Sequence, residues 1–136
     1  LILTPLTFSQ IVGAGEVTFS KYGTNDFQSV TLYTAVDQAA GDTSDVLYVP
    51  FEVEQAIFYL EVDTISTSDS LKTMIIQGSP DKAAWHTVST SLTNVGASGA
   101  LQRLAVTLVD KYIRFIYAVS GSDVKLDFKL KVLPKP

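Results

Sequence analysis

The run VKLDFKLKV, residues 124–132, constrains this chain more than any other stretch. Val124, Leu126, Phe128, Leu130 and Val132 alternate with Lys125, Asp127, Lys129 and Lys131. A helix turns about 100° per residue and would scatter those apolar groups around its axis. A strand gathers them on one face and puts the charged groups on the other. A lone strand leaves its backbone N–H and C=O groups unpaired, so the rest of the chain must supply a sheet.

The same test finds further strands. In Ala56–Asp63, Phe58, Leu60 and Val62 face one way and Tyr59, Glu61 and Asp63 the other. Leu47, Val49, Phe51 and Val53 alternate with Tyr48, Pro50, Glu52 and Glu54, which predicts a strand with Phe51 on its buried face. Pro50 lacks an N–H and marks an edge or a strand end. Leu104, Val106 and Leu108 share a face, as do Ile113, Phe115, Tyr117 and Val119. Val30, Leu32, Thr34 and Val36 share another, which leaves Tyr33 on the polar side. Leu71–Gly78 is apolar on both faces, as a central strand is. Between these runs lie Gly41–Asp45, Ser66–Ser70, Ser79-Pro80-Asp81, Gly96–Gly99 and Ser120–Asp123, all with turn chemistry. A helical patch at Asp37–Ala40 amounts to one turn at most. Val, Ile and Thr supply 37 of the 136 residues, and such β-branched side chains favour strands.

These readings predict an all-β chain: a single antiparallel β-sandwich of jelly-roll-like topology over residues 26–136. Residues 1–25 read differently. Leu6, Phe8, Val17 and Phe19 flank Gly13-Ala14-Gly15, which predicts either a first hairpin of the sandwich or an arm reaching a neighbour.

Composition limits the function classes. Hydrophobic residues make up 46% and charged residues 18%, enough apolar material for a core. There is no Cys, so neither a disulfide nor a thiolate site exists. No apolar run approaches 18 residues, so no membrane partner is expected. LILTPLTF lacks the basic and long apolar regions of a signal peptide. Net charge is −4. Lys125, Lys129, Lys131 and Lys135 against Asp127 give +3 over residues 124–136, leaving −7 elsewhere. A mildly acidic body is a poor match to phosphate backbones, so no nucleic-acid partner is expected.

Candidate chemistry is sparse. His86 is the one His and Trp85 the one Trp. Ser79, Asp81 and Ser89 lie near them, but no nucleophile-elbow or zinc motif surrounds them. Trp85 and His86 are kept as an alternative ligand loop. Asp42 with Asp45, or Asp63 with Asp69, could offer oxygen ligands to calcium, yet neither pair sits in an EF-hand pattern, and Asp is an ordinary turn residue. Glu52, Glu54 and Glu61 could serve as paired acids only if folded across a cleft. The expectation is no catalytic residue, no metal and no cofactor. Tyr48, Tyr59 and Tyr112, with Ile57 and Ile116, fall on outward faces and call for a cover.

The segments AIFYLEVDTISTSDSLKTMIIQGSPDKAAWHTV (56–88) and KYIRFIYAVSG (111–121) resemble small β-sandwich virion proteins of tailed phages, including capsid decoration, or cement, proteins. The shared pattern is a strand, a Ser/Gly turn, a strand ending in a Gln-x-Ser-Pro-Asp hairpin, a Trp, and a later Tyr-x-Arg strand. It spans roughly residues 46–132. Discoidin-like binding modules have a similar hairpin, and Lys82 stands where those hairpins commonly have Gly. The resemblance implies a non-enzymatic virion protein on the outer surface of the capsid. It would stabilise the head shell by contact with the major capsid protein, as a homo-oligomer, with a trimer the natural guess. Phe8, Ile11, Val17, Phe19 and Tyr22 would then be interface residues of the arm. The alternative it leaves is a carbohydrate-binding β-sandwich module, of a phage tail or secreted.

Overall fold

The computed structural model describes residues 16–21, 27–121 and 124–136. Ten strands lie among them: β1 (Glu16–Val17), β2 (Val30–Gln38), β3 (Asp42–Thr43), β4 (Val46–Tyr48), β5 (Gln55–Ile65), β6 (Ser70–Ser79), β7 (His86–Ser89), β8 (Leu101–Thr107), β9 (Tyr112–Ser120) and β10 (Leu126–Lys135). They form two packed sheets. One has the order β1-β4-β9-β6-β7, with β3 also on β9; the other has β2-β10-β5-β8. All pairings are antiparallel except β1 with β4.

The order has a simple origin. β3 and β4 lie end to end along β9 and act as one interrupted strand. The break is bridged by Ser44, whose N–H donates to the Phe115 carbonyl and whose Oγ accepts the Phe115 N–H. From β2 onward each strand then pairs with its mirror image about the β6–β7 hairpin: β2 with β10, β3/β4 with β9, β5 with β8 and β6 with β7. A long antiparallel ribbon folded over on itself in this way is a jelly roll. The expected all-β sandwich is thus observed.

The alternating positions meet between the sheets. Phe58, Phe115 and Phe128 are almost fully buried with Leu47, Leu60, Leu71, Ile113, Leu126 and Leu130. Each such side chain contributes about 1.5–3 kcal/mol of transfer free energy.

Two sequence expectations fail locally. In β2 the buried residues are Leu32 and Ala35, and Val36 is 71% exposed. The ladder to β10 slips between Leu130↔Tyr33 and Lys131↔Thr31, so an extra residue sits in β2. A bulge of this kind reverses the phase of everything beyond it. It brings Tyr33 inward against Phe115, Tyr117 and Phe128, with ring centroids 6.4, 5.3 and 5.4 Å away. The strand then runs through Asp37, at φ +49°, to Gln38. The second failure is Phe51. β4 stops at Tyr48, and a turn closed by the Val53 N–H on the Pro50 carbonyl (3.0 Å) throws Phe51 outward, 96% exposed.

Candidate functional site

The Phe51 turn belongs to a cluster of loops at one end of the sandwich: residues 49–54, 80–85 and 108–111. Backbone bonds frame it. The Val49 N–H donates to the Lys111 carbonyl (2.8 Å), Leu108 to Glu54 (2.8 Å) and Glu54 to Lys135 (3.1 Å). Val49, Val53 and Leu108 point into the core. Phe51 and Val109, the latter 86% exposed, point out. Between the two turns lies an open cleft of about 490 Å³, lined by Tyr48, Pro50, Phe51, Val53, Val109 and Lys111 among others. Lys21 reaches Glu52 (2.9 Å) and lies over the Phe27 ring, tying the first described segment to this turn.

The adjoining hairpin is built from its own polar groups. Ser79 Oγ accepts the N–H of Lys82 (2.9 Å) and of Asp81 (3.2 Å). The Asp81 carboxylate accepts the N–H of Ala83 (2.9 Å) and Ala84 (3.0 Å). Those amides, led by Ala84, hold the Asp81 carboxyl below its ordinary pKa. Lys82 takes φ +66°, the left-handed conformation that suits Gly. The chain leaves this turn with Trp85 half-buried on the outer face of the sheet. The Arg114 guanidinium lies 4.2 Å from the Trp85 ring centroid, and its Nε donates to Gln77 Oε1 (2.8 Å). Next to it, Tyr112 packs on Tyr48 (6.0 Å) beneath the ammonium groups of Lys82 and Lys111.

His86 bridges hairpin and loop. Its Nε2 lies 3.0 Å from both Asp110 carboxylate oxygens. Asp110 reaches it by folding over Gly78, which sits opposite His86 in the ladder. A Cβ on Gly78 would come within 2.2 Å of the Asp110 carboxylate. The hydroxyl of Ser79 is engaged in its own turn, and His86 and Asp110 link the hairpin to the 108–111 loop. This end of the sandwich thus presents two apolar knobs, a cleft, and a flank of stacked aromatic and cationic groups.

The other residues singled out from sequence are dispersed. Phe8, Ile11 and Tyr22 lie outside the described residues. Val17 pairs with Leu47, and Phe19 packs edge-on to Phe27 at 6.0 Å; both are partly buried against the sandwich's own core. Asp42 accepts from Tyr33 OH (3.0 Å), and Asp69 accepts from Ser66 Oγ. Asp63 is exposed, and Glu61 pairs with Lys131 (3.2 Å). Among the described residues no three His, Asp or Glu side chains gather as a metal-holding group. The residues that sequence reasoning missed are Phe51 and Val109. The available signal for Phe51 was Pro50, which ends the strand just before it.

No family model matches the chain, and no curated protein matches it. Among solved structures it is similar to the crystal structure of the PBSX exported protein XepA. The two share 20% identity with a TM-score of 0.58 over 79% of this chain. The likeness is one of fold. This chain spans 37% of that protein's length.

Proposed function

We propose that the chain is a non-enzymatic structural protein of a phage particle, acting as a decoration, or cement, protein on the outer surface of the capsid. Its partner is the major capsid protein, and its work is to bury surface across joints in the shell. A protein that binds only the assembled shell stabilises it by mass action, without chemistry. The observation that carries this reading is the exposure of Phe51 and Val109 on two turns braced by backbone bonds. A large apolar side chain held out rigidly from a well-packed domain suits a partner's pocket, and aromatic residues of this kind dominate interface energetics. The fold shared with a phage PBSX protein supports a phage setting.

The test is co-sedimentation of Phe51→Asp, Val109→Asp and the double variant with shells lacking the decoration. Each single variant should weaken binding at least 10-fold, equivalent to about 1.4 kcal/mol. Undiminished binding by a folded double variant overturns this reading.

One observation favours the carbohydrate-binding alternative: Trp85 lies on the outside of the sandwich, beside Arg114, and is not enclosed between the sheets. Sugar rings stack on such side chains. Glycan-array binding by the wild type that is lost in a folded Trp85→Ala variant would replace the decoration reading with this one.

A further inference from the structure

A sheet edge with unpaired N–H and C=O groups is a template for another strand, and proteins that stay monomeric blunt their edges. The described edges differ in this respect. β1 has two residues and β7 four, with a register shift against β6. β2 carries two register shifts and a positive φ at Asp37. β8 has seven residues, no Pro and an unbroken register with β5 from Gln55↔Thr107 to Glu61↔Leu101.

The direction of the β8 backbone follows from its flanks. Leu108 N–H donates to Glu54, and Val62 N–H to Ala100. Hydrogen-bonded and non-bonded pairs alternate along an antiparallel ladder. Ala56↔Val106, Phe58↔Leu104 and Leu60↔Gln102 are therefore the bonded pairs. The N–H and C=O groups of Leu101, Arg103, Ala105 and Thr107 point away from β5, and all four residues are exposed. Leu101 is 76% exposed, beside a cleft of about 320 Å³ that it shares with Tyr59 and Arg103.

We propose that β8 pairs antiparallel with β8 of a second copy, about a two-fold axis through Leu104. The two four-stranded sheets then run on as one. In this register Leu104 meets Leu104 of the second copy as a non-bonded pair. Arg103 meets Ala105 and Leu101 meets Thr107, both as bonded pairs, which matches the direction of their backbone groups. An axis on Arg103 would oppose two guanidiniums, which disfavours it. An axis on Ala105 would push Leu101 past the end of the partner strand. The pairing is two-fold and self-complementary, so it yields a dimer. A three-fold ring would need β8 to meet a different edge. The inference rests on the sheet edge and not on the capsid reading.

The test is sedimentation equilibrium of the whole chain over a concentration series, with Ala105→Glu and Ala105→Lys. Ala105 is exposed, so both variants should keep the fold, as circular dichroism would report. Each dimer contains the Arg103–residue 105 pair twice. Ala105→Glu should tighten dimerisation roughly 2- to 30-fold, from cross-strand pairs of about 0.2–1 kcal/mol each, and Ala105→Lys should loosen it by a similar factor. Phe51→Asp should leave it unchanged. A trimer, a monomer in both the wild type and Ala105→Glu, or a dimer equally tight in both charge variants overturns the proposal.

Discussion

Phe51 and Tyr33 are each a case of alternation counted correctly and then overridden. The Leu47–Val53 pattern assigned Phe51 to the core; the turn at Pro50 put it outside. The β2 pattern assigned Tyr33 to solvent; a one-residue bulge put it among Phe115, Tyr117 and Phe128. Both errors arise because a period of two carries no information about an inserted or ejected residue. The consequences are measurable. Phe51→Ser should change folding stability by no more than about 0.5 kcal/mol, because it removes a side chain that water already covers. Urea titration checks this, and a larger loss would mean that Phe51 packs on its own chain. Tyr33 should behave in the opposite way. Its hydroxyl bonds Tyr117 OH (2.7 Å) and Asp42 (3.0 Å). Burial first, then those bonds, raise its pKa well above the usual tyrosine range; burial also raises that of Tyr117. The unfolded chain ionises both near pH 10 while the folded chain keeps its protons. The unfolded state then binds fewer protons, so this stability is complete below about pH 10 and is lost as pH rises further. Tyr33→Phe should lower stability by about 1 kcal/mol at neutral pH and flatten the loss between about pH 9 and 11. An unchanged alkaline slope in the variant would sink the assignment.

The hairpin from β6 to β7 was the most legible element, because its turn chemistry is local. Ser79-Pro80-Asp81 signals a turn in sequence, and the structure closes it with those side chains. Lys82 stood out against related hairpins for lacking Gly, and it does occupy the left-handed conformation. Replacing it tests that geometry. A non-Gly residue at such an angle costs about 1–2 kcal/mol. Lys82→Gly also gives up an exposed pair with Glu16 (3.1 Å) and the contact of its ammonium with the Tyr112 ring (5.1 Å), each worth about 0.5 kcal/mol, and loosens the unfolded chain by about 0.4–1 kcal/mol. These terms cancel to within about 0.5 kcal/mol, so the melting temperature should barely move; a clearly lowered one would mean that Lys82 anchors β1 more firmly than its exposure suggests. Less legible was what the hairpin does beyond turning. From sequence Trp85 reads first as a cover of the core edge; the structure puts it half-buried on the outer face. Only the ladder places it over Arg114, because Gln77↔Arg114 is a pairing between strands far apart in sequence.

The jelly-roll class could be read from strand number and spacing, but beyond the β6–β7 hairpin the partners could not, since β2, β3/β4 and β5 join β10, β9 and β8 from far along the chain. That nesting sets how the molecule tolerates cuts. β10 lies between β2 and β5, and its Phe128, Leu130 and Val132 are buried. Ending the chain before Leu126 removes a central strand, exposes both neighbours' backbones and should abolish cooperative folding. The other end is different. β1 adds two residues at the edge of β4, and Phe19 packs on Phe27 from outside. Of the described residues, deleting 1–20 takes away only the two-residue edge strand β1 and Thr18–Ser20, and it leaves the Lys21–Glu52 pair in place. The truncated chain should therefore keep its strand signature in circular dichroism and melt cooperatively, at a lower temperature because Val17 and Phe19 no longer cover the core edge. Under the proposed decoration role, a shell-binding assay of this truncation then separates two ways of gripping a partner. If the loop end around Phe51 makes the contact, the folded truncation should bind shells nearly as well as the whole chain, while Phe51→Asp fails. If an arm makes it, the order is reversed: the truncation loses binding and Phe51→Asp retains it.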